Sequence, residues 1–549
     1  MRAKGQKRGN ATRQTNQREK LARTRDPHAE GRRNTRRSNE IGKTTSRRTG
    51  SEETRAMGKV RQRLADLREA LSVGTMLCIG AFLLSACAGW LLNGSVYAHV
   101  AEYCGIAREV STLFSAGLFL VLFFVASRKP EALDRRIMAV VSLGSLITAL
   151  LVLSFALKLE DGPSTVLGFL FLNIGSVWAA SLLALALASL PSPLAMTLAV
   201  VCGMPLGEVA VALLPMPSFE VGLIAITACD ALMIALLYRG SAPALDRLTG
   251  SASAADLELA NPESFLRPTH ALFVCAFVFS VATGYELTLN EVAHAPVSSD
   301  LVSVVLVGVA LWMLLGSQND GKEDTLFSFS VLLVIAGFLV APFTFDSGLP
   351  SANALQRIGV DSFKMLTLLV VLSVGRRNAF ALLPTFTLVR CMMALGTDVG
   401  AVAGHTSNDL ASANAQAAAL IAAISLFAFI AFLWIGFRKF SFADTIRGVA
   451  NVNADAGASE ARDSFADSGA GAGAGASIEE RCAQLGAEGG LTERETEIFA
   501  MLARGRNGQY VMDHYVISRN TVKSHVKHIY AKLGVHSQQE LIDLVERYE

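Results

Sequence analysis

The chain has 549 residues, of which 52% are hydrophobic and only 17% are charged, and its mean hydropathy is +0.41. Soluble domains carry about 25% charged residues, so this composition argues against a chain that is soluble along its whole length. The net charge of +2 conceals an asymmetry, because residues 1–70 contain 21 Lys and Arg against 8 Asp and Glu. Such a basic end indicates a neighbour of opposite charge, either nucleic acid or anionic lipid.

The first segment, residues 1–69, is rich in Arg, Lys, Asn, Thr and Gly and has very few large apolar residues before Leu64. This composition cannot bury a core, so we expect a disordered basic tail on the cytoplasmic side. Residues 57–71 have the spacing of an amphipathic helix that leads into the first apolar run. Two interpretations stay open: a translated basic tail, or translation that begins at Met57.

Residues 70–438 contain twelve apolar runs, each near the length of about 20 residues that crosses a bilayer as a helix. They predict an all-α polytopic membrane bundle of six spans, a cytoplasmic loop at 239–269, and six further spans. The alternative is a large soluble protein with buried helices, which is disfavoured because amphipathic helices to cover them are almost absent. The predicted spans are 71–92, 110–126, 137–157, 164–188, 193–214, 219–238, 270–289, 300–316, 326–345, 360–374, 380–400 and 411–437.

Loop charge predicts the orientation, because cytoplasmic loops carry an excess of Lys and Arg. The loops after spans two, six, ten and twelve are basic, as with Arg135 and Arg136 or Arg376 and Arg377. The loops after odd-numbered spans contain few basic residues, among them Arg357. With an even number of spans, this pattern predicts a multi-pass protein of the cell membrane with both termini in the cytoplasm.

Ionisable side chains inside membrane spans are costly, which makes them functional candidates. Together with two aromatic residues, they predict a central pocket for an unidentified small-molecule ligand, in which Glu286 pairs with Arg390. The alternative is a set of structural ion pairs without a ligand. Asp361 and Lys364 are placed nearer a helix end. The pocket candidates are Glu208, Asp230, Glu286, Arg390, Trp178 and Tyr285.

Residues 439–490 have the composition of a linker, because the tract SGAGAGAGAS at 468–477 is of low complexity and should be flexible. Residues 491–549 then change character and predict four helices. Thr492 and Glu495 form a capping box at the start of the first helix. Gly505 ends that helix, and Ser518 and Ser537 are N-cap candidates for the third and fourth.

The third predicted helix carries the chemistry of this segment. Lys523 and Lys527 lie four residues apart, and therefore on one face with Ser524. An apolar stripe on the opposite face is suited to a core. A helix with cationic and hydrogen-bonding side chains outward fits the major groove of DNA, although a solvated basic face is the alternative from the residues alone.

This segment resembles the LuxR-type helix-turn-helix family in its pieces LTERE (491–495), ARG (503–505), IS..TVKSHV (517–526) and KLGV (532–535), with matching spacing throughout. The resemblance implies a four-helix domain that binds promoter DNA as a dimer, with its third helix in the major groove. The segment departs from the family in its second predicted helix, which contains GQYVM (508–512) and Tyr515. This departure implies atypical DNA affinity or half-site preference. The DNA contacts implied by position are Lys523, Ser524 and Lys527 to bases and Thr521, Lys532 and Arg519 to phosphates.

The six-loop-six layout resembles transporters of the major facilitator type. Its loop SRKPEALDRR (127–136) is similar to that family's basic loop between spans two and three, but lacks the leading Gly pattern. Walker loops, kinase or receiver patterns, HExxH and Cys/His clusters of metal-ligand spacing are absent from the sequence, so we expect no enzyme and no cofactor. Three functions stay open: a membrane-bound one-component transcriptional regulator, a secondary transporter with a fused regulatory domain, and a passive membrane anchor.

Overall fold

The computed structural model describes residues 62–249, 266–291, 294, 296, 299–316, 321–344, 351–437, 441, 442, 445, 478–506, 508–517, 519–535 and 538–548. Every regular element in these ranges is a helix, which confirms the all-α fold class. Residues 62–70 are helical, in agreement with the helix expected at 57–71. The expected disorder before residue 62 and the Gly/Ala tract at 468–477 lie outside the described residues.

All twelve predicted apolar runs are helices, and ten of these are long and apolar enough to cross a membrane. Two are shorter: α8 has 16 residues, and the apolar part of α12 is Ala419–Ile435. The polytopic helical bundle is therefore confirmed. The helices are α1 Val73–Leu91, α2 Ala107–Arg128, α3 Arg135–Leu159, α4 Gly162–Ala188, α5 Pro193–Leu213, α6 Phe219–Leu237, α7 Ala271–Thr288, α8 Asp300–Leu315, α9 Lys322–Val340, α10 Ser351–Arg377, α11 Ala379–Ala413 and α12 Ala415–Phe437.

Side-chain caps explain where several of these helices begin. Ser72, Asp134, Asp161, Ser192 and Asn378 each stand in extended backbone just before a helix and accept a hydrogen bond from a backbone N–H in its first turn. These groups would otherwise lack an acceptor at a helix N-terminus. Polar residues between apolar runs therefore mark the helix starts.

The tenth helix differs most from its prediction. It extends over Ser351–Arg377 rather than 360–374, so Arg357 lies inside the helix and not in a loop. The error arose because Asn353, Gln356 and Asp361 lower the hydropathy of its first half, although all three are buried. The eleventh helix likewise continues to Ala413, beyond the predicted end at residue 400.

Glycines allow α7 and α11 to pack closely. A Cβ atom on Gly284 of α7 would overlap the backbone of α11, and one on Gly396 or Gly400 of α11 would overlap the backbone of α7. Gly404 adds the next position at the same spacing of four. Small residues at this spacing allow two membrane helices to approach backbone to backbone, and here they join the two helices on which Glu286 and Arg390 lie.

The C-terminal domain contains five helices rather than four. Ile478–Glu488, which was predicted to be linker, is a helix (α13), and its Cys482 and Leu485 are buried in the core of the domain. The linker prediction is thus wrong for these residues, because Ile478, Cys482 and Leu485 repeat at helical spacing and form an apolar face. The other helices are α14 Glu493–Ala503, α15 Gly508–Tyr515, α16 Arg519–Leu533 and α17 Gln538–Arg547.

Candidate nucleic-acid interface and central cavity

A cavity of about 260 Å³ lies inside the bundle and is lined by helices from both halves of the chain. Glu208 of α5 contributes to its wall from the first half, and Asp361, Lys364 and Arg390 contribute from the second. We call it the central cavity. Apolar side chains complete the wall, among them Phe82, Met204, Leu306, Phe386 and Met393.

Four charged residues beside the central cavity form a chain of ion pairs. Arg357 donates a hydrogen bond to Glu208 at 2.9 Å, and its Nε lies 3.7 Å from an oxygen of Asp361. Lys364 donates to the other oxygen of Asp361 at 3.0 Å. The pair Arg357–Glu208 joins α10 to α5 and so links the two halves of the bundle.

The sequence located only part of this network. Glu208 and Arg390 line the central cavity as predicted, but Arg357 was placed in a loop, and Asp361 and Lys364 were placed near a helix end. A usable signal was present, because 357, 361 and 364 are spaced by four and three residues and so share one helix face.

The other predicted pocket residues lie elsewhere. The predicted pair between Glu286 and Arg390 is not formed: one carboxylate oxygen of Glu286 is buried without a hydrogen-bond partner, and Arg390 lies over the ring of Phe119 at 5.4 Å. Asp230 accepts a short hydrogen bond from Ser176 and faces none of the three cavities described here.

The two predicted aromatic residues are also core rather than pocket wall. Trp178 and Tyr285 are among the largest fully buried side chains of the described residues. The Tyr285 hydroxyl lies 3.3 Å from the hydroxyl of Ser407, and neither ring lines one of the cavities. Large aromatic residues fill a core more often than they line a site, and sequence spacing does not separate the two roles.

Two more cavities lie in the bundle, and each shares lining residues with the one before it. The second, of about 260 Å³, shares Lys364 and Arg390 with it and adds Asp398. The third, of about 230 Å³, shares Arg108 and Glu109 with the second. The three cavities thus share lining residues in succession and extend from the charged network towards the starts of α2 and the end of α7.

Ion pairs between the two halves line the third cavity. Arg108 donates a hydrogen bond to Glu291 at 3.1 Å, and His405 lies 3.3 Å from Glu109. Arg108 and Glu109 begin α2 in the first half of the chain, whereas Glu291 and His405 belong to the second. Contacts between the two halves of the chain therefore form part of the wall of the third cavity.

In the C-terminal domain, α14 begins with the predicted capping box, since Thr492 and Glu495 exchange hydrogen bonds between side chain and backbone. Gly505 has a φ of 75°, which fits its predicted helix-ending role, and Gly534 has a φ of 67° just after the end of α16. The predicted caps Ser518 and Ser537 lie outside the described residues. The core of the domain is formed by all five helices, and α16 contributes Val522, Val526, Ile529 and Tyr530.

Comparison with known proteins decides the class of this domain. Residues 490–545 match the family "Bacterial regulatory proteins, luxR family". The C-terminal segment is a LuxR-type helix-turn-helix domain. Over 59 residues the chain is 41% identical to the Fimbriae Z protein of Escherichia coli K12 and 34% identical to that of Salmonella typhimurium. Each match spans 11% of this chain and 28% of the relative, so the chain covers less than a third of the length of these relatives.

Solved structures similar to the chain include membrane transporters. The human organic anion transporter TETRAN is 16% identical, with coverage of 65% of this chain and 98% of the transporter, at a TM-score of 0.40. The major facilitator transporter FucP in its outward conformation is 12% identical, with coverage of 67% and 100%, at a TM-score of 0.41.

Within the LuxR-type domain, α16 exposes the side chains that the family resemblance implies for DNA contact. Lys523, Ser524 and Lys527 are exposed, as is Thr521, while Val522 and Val526 between them are fully buried. Arg519 begins the helix, but its side chain lies outside the described part of the structure. The helix therefore has the division between outer and inner faces that groove binding requires.

Lys532 has a structural partner that the sequence did not suggest. Its ammonium donates a hydrogen bond to Glu495 at 2.7 Å, which ties the end of α16 to the start of α14. This bond, with the hydrogen bonds from Thr492, lowers the pKa of Glu495 to about 2. A phosphate contact from Lys532 stays a prediction, and it would compete with this ion pair.

The helix α15, whose sequence departs from the family, is stabilised by contacts between aromatic and cationic groups. The guanidinium of Arg494 lies 3.6 Å from the ring centroid of Tyr515, and that of Arg506 lies 4.8 Å from Tyr510. Tyr510 also stacks on His514. Tyr515, one of the departures from the family, thereby gains a partner on α14 and holds α15 in place.

Proposed function

We propose that the protein is a membrane-bound, one-component transcriptional regulator in which a small molecule binds the helical bundle and changes how the LuxR-type domain engages promoter DNA as a dimer. The proposed role is non-catalytic and needs no cofactor, and basic loops support a cytoplasmic location for both termini. The observation that carries the proposal is that one chain unites the exposed face of Lys523, Ser524 and Lys527 with a bundle that contains a charged, accessible cavity.

A contact at the end of the bundle supports the proposal that the bundle and the LuxR-type domain influence each other. Phe363 lies on α10 between the cavity residues Asp361 and Lys364, and it packs against Phe442, which follows α12, at a centroid distance of 6.3 Å. Asp324 at the start of α9 accepts one hydrogen bond from the backbone N–H of Phe442 and one from the hydroxyl of Ser441. Since a ligand acts only by binding two states differently, a ligand that favours one position of α10 would also change the site where Phe442 docks.

The test is transcript profiling of cells that lack this chain, complemented with wild type, with Lys523→Ala/Lys527→Ala, or with Glu208→Gln. We expect a compact set of genes to respond to wild type, to lose the response with the double variant, and to lose its dependence on growth condition with Glu208→Gln. If no transcript separates wild type from the double variant, the regulator proposal fails.

A second candidate is a secondary transporter with a fused regulatory domain. The shared lining of the three cavities favours it, since a series of neighbouring cavities that contain charged side chains is the layout expected of a permeation route. Uptake by vesicles that contain the purified chain, abolished by Glu208→Gln but unchanged by Lys523→Ala/Lys527→Ala, would support transport. Uptake that is equal in vesicles with and without the chain would oppose it.

A further inference from the structure

The guanidinium of Arg390 lies in the interior of the bundle and has no acidic partner among the described residues. It is exposed to both the central and the second cavity. Its guanidinium carbon lies 5.4 Å from the centre of the Phe119 ring. The nearby acids Glu208 and Asp361 are already paired with Arg357 and Lys364. Because an intramembrane charge is costly without a counter-charge, Arg390 is suited to a ligand that supplies one.

The central cavity also limits the polarity and the size of the rest of such a ligand. Its wall combines Phe82, Phe386, Met204 and Met393 with the charged groups, so most of a bound molecule would contact apolar atoms. An apolar cavity of about 150 Å³ accommodates benzene. By proportion, the central cavity of about 260 Å³ takes a molecule of about ten non-hydrogen atoms.

Asp398 indicates in which of the two cavities beside Arg390 the body of the ligand lies. It follows Arg390 by eight residues on α11, hence about 12 Å further along the helix, and it lines the second cavity. One of its carboxylate oxygens is buried without a hydrogen-bond partner in the described structure. An anionic group is therefore attracted at Arg390 and disfavoured deeper in the second cavity, which leaves the central cavity for the apolar part.

We infer that the bundle binds a small carboxylate with an apolar, ring-sized body, whose carboxylate is held by Arg390 and whose body occupies the central cavity. Guanidinium and carboxylate form two parallel charge-assisted hydrogen bonds, so a ligand with a single carboxylate satisfies the guanidinium of Arg390. This inference rests on the proposed function only in that the bundle takes a small-molecule ligand. It deepens that function by naming the chemical class of the ligand.

The experiment is isothermal titration of the purified full chain in lipid nanodiscs with three probes of one shape and different charge. Phenylacetate is the anion, 2-phenylacetamide its neutral equivalent, and 2-phenylethylamine the cation. We expect phenylacetate to bind and the other two to bind at least about tenfold more weakly, since a hydrogen-bonded charge pair is lost.

Variants of Arg390 assign the binding to this residue. Arg390→Gln should weaken phenylacetate binding at least about tenfold, and Arg390→Lys should weaken it less, because the charge remains while the paired geometry is lost. Asp398→Asn should leave binding equal or tighter. Arg136→Gln is the matched control, since it removes an exposed basic residue outside the cavities and should leave binding unchanged.

The inference is overturned if the amide or the amine binds as tightly as phenylacetate, if none of the three probes binds, or if Arg390→Gln folds and retains wild-type affinity. Should Arg390→Gln fail to fold, the comparison of Arg390→Lys with wild type and the three-probe comparison decide instead. Transcript profiles of Lys523→Ala/Lys527→Ala depend on DNA recognition and not on the cavity. A failed inference about the carboxylate can therefore be distinguished from a failed proposal of regulation.

Discussion

Glu495 accepts a hydrogen bond from the ammonium of Lys532 at 2.7 Å, and this contact joins the first turn of α14 to the last turn of α16 across 37 residues of sequence. The carboxylate is nearly inaccessible to solvent and also caps the backbone at Thr492. One acidic side chain therefore fixes both the start of a helix and the position of the recognition helix.

Replacement of this carboxylate should weaken the LuxR-type domain. We expect Glu495→Gln to lower the free energy of unfolding of residues 478–549, which contain a core of their own, by about 1–2 kcal/mol at neutral pH. Denaturant titration measures the change. Glu493→Gln, an exposed neighbour in the same turn, is the control and should change stability by less than about 0.5 kcal/mol.

The same carboxylate should make stability depend on acid pH. Its pKa falls from the usual value of 4.5 to about 2 in the folded domain. A depressed pKa gives stability that is complete above the pKa of the unfolded chain and is lost as pH falls through that of the folded chain. Between pH 5 and 2 the wild-type fragment should lose more stability than Glu495→Gln, and identical pH profiles would contradict this assignment.

Loss of either lysine on the outer face of α16 should weaken DNA recognition. Lys523→Ala and Lys527→Ala should each cost about 1–3 kcal/mol of site-specific binding and reduce its salt dependence. Binding is measured by fluorescence anisotropy over a range of salt concentrations. Arg547→Ala removes an exposed charge on α17 and should have a smaller effect; an equal effect would mean that only net charge matters.

The first helix of the domain should contribute measurably to its stability. Leu485→Ala leaves a cavity in the core and should cost about 2–4 kcal/mol in residues 478–549. Gln484→Ala, exposed on the same helix, should cost less than about 0.5 kcal/mol. Equal midpoints of unfolding for the two variants would show that α13 does not belong to the cooperative core.

Because α7 and α11 pack closely, a side chain added at their contact should destabilise the bundle. A Cβ on Gly400 would meet backbone atoms at Val281 and Tyr285, so Gly400→Ala must displace a helix and should destabilise the bundle by about 1–3 kcal/mol or more. The measurement is the melting temperature of the full chain in nanodiscs. Gly308→Ala on α8, where nothing lies within 4 Å, should melt like wild type.

The ion pair between the halves should show energetic coupling. A double-mutant cycle of Glu208→Gln and Arg357→Gln should give an interaction free energy of about 0.5–3 kcal/mol, because each single variant leaves a charge without its partner. Unfolding of the full chain in nanodiscs supplies the four values. Additive effects of the two variants would mean that the contact at 2.9 Å contributes nothing.

The sequence predicted the helices better than it predicted which side chains contact each other. Twelve runs were found because hydropathy is a local property, and the capping box of Thr492 and Glu495 was found because its residues are three apart. The ion pair between Glu208 and Arg357 joins residues 149 apart, and no local pattern encodes such a contact. The beginning of α10 reads as a loop for the same reason: its charges are balanced by groups that are distant in sequence.

The sequence predicted the arrangement of the DNA-facing residues on α16 better than the arrangement of the residues around the central cavity. Exposure of Lys523 and Lys527 follows from spacing alone, whereas the ion pair of Lys532 with Glu495 needs the crossing of two helices. In the bundle, Glu286 and Arg390 were paired on the basis of opposite charge, but the structure places Arg390 on an aromatic ring. Charge identifies candidates, and only tertiary geometry decides which of them meet.

The docking of the segment after α12 sets how far the domain can reach. Thr445 is the last described residue before α13, which begins 33 residues later, at Ile478. Even a fully extended chain spans at most about 3.3–3.6 Å per residue, which gives about 110–120 Å. If the domain binds promoter DNA as proposed, that DNA must come within about this distance of the membrane, and the position of a gene on the chromosome would limit whether the domain can reach it.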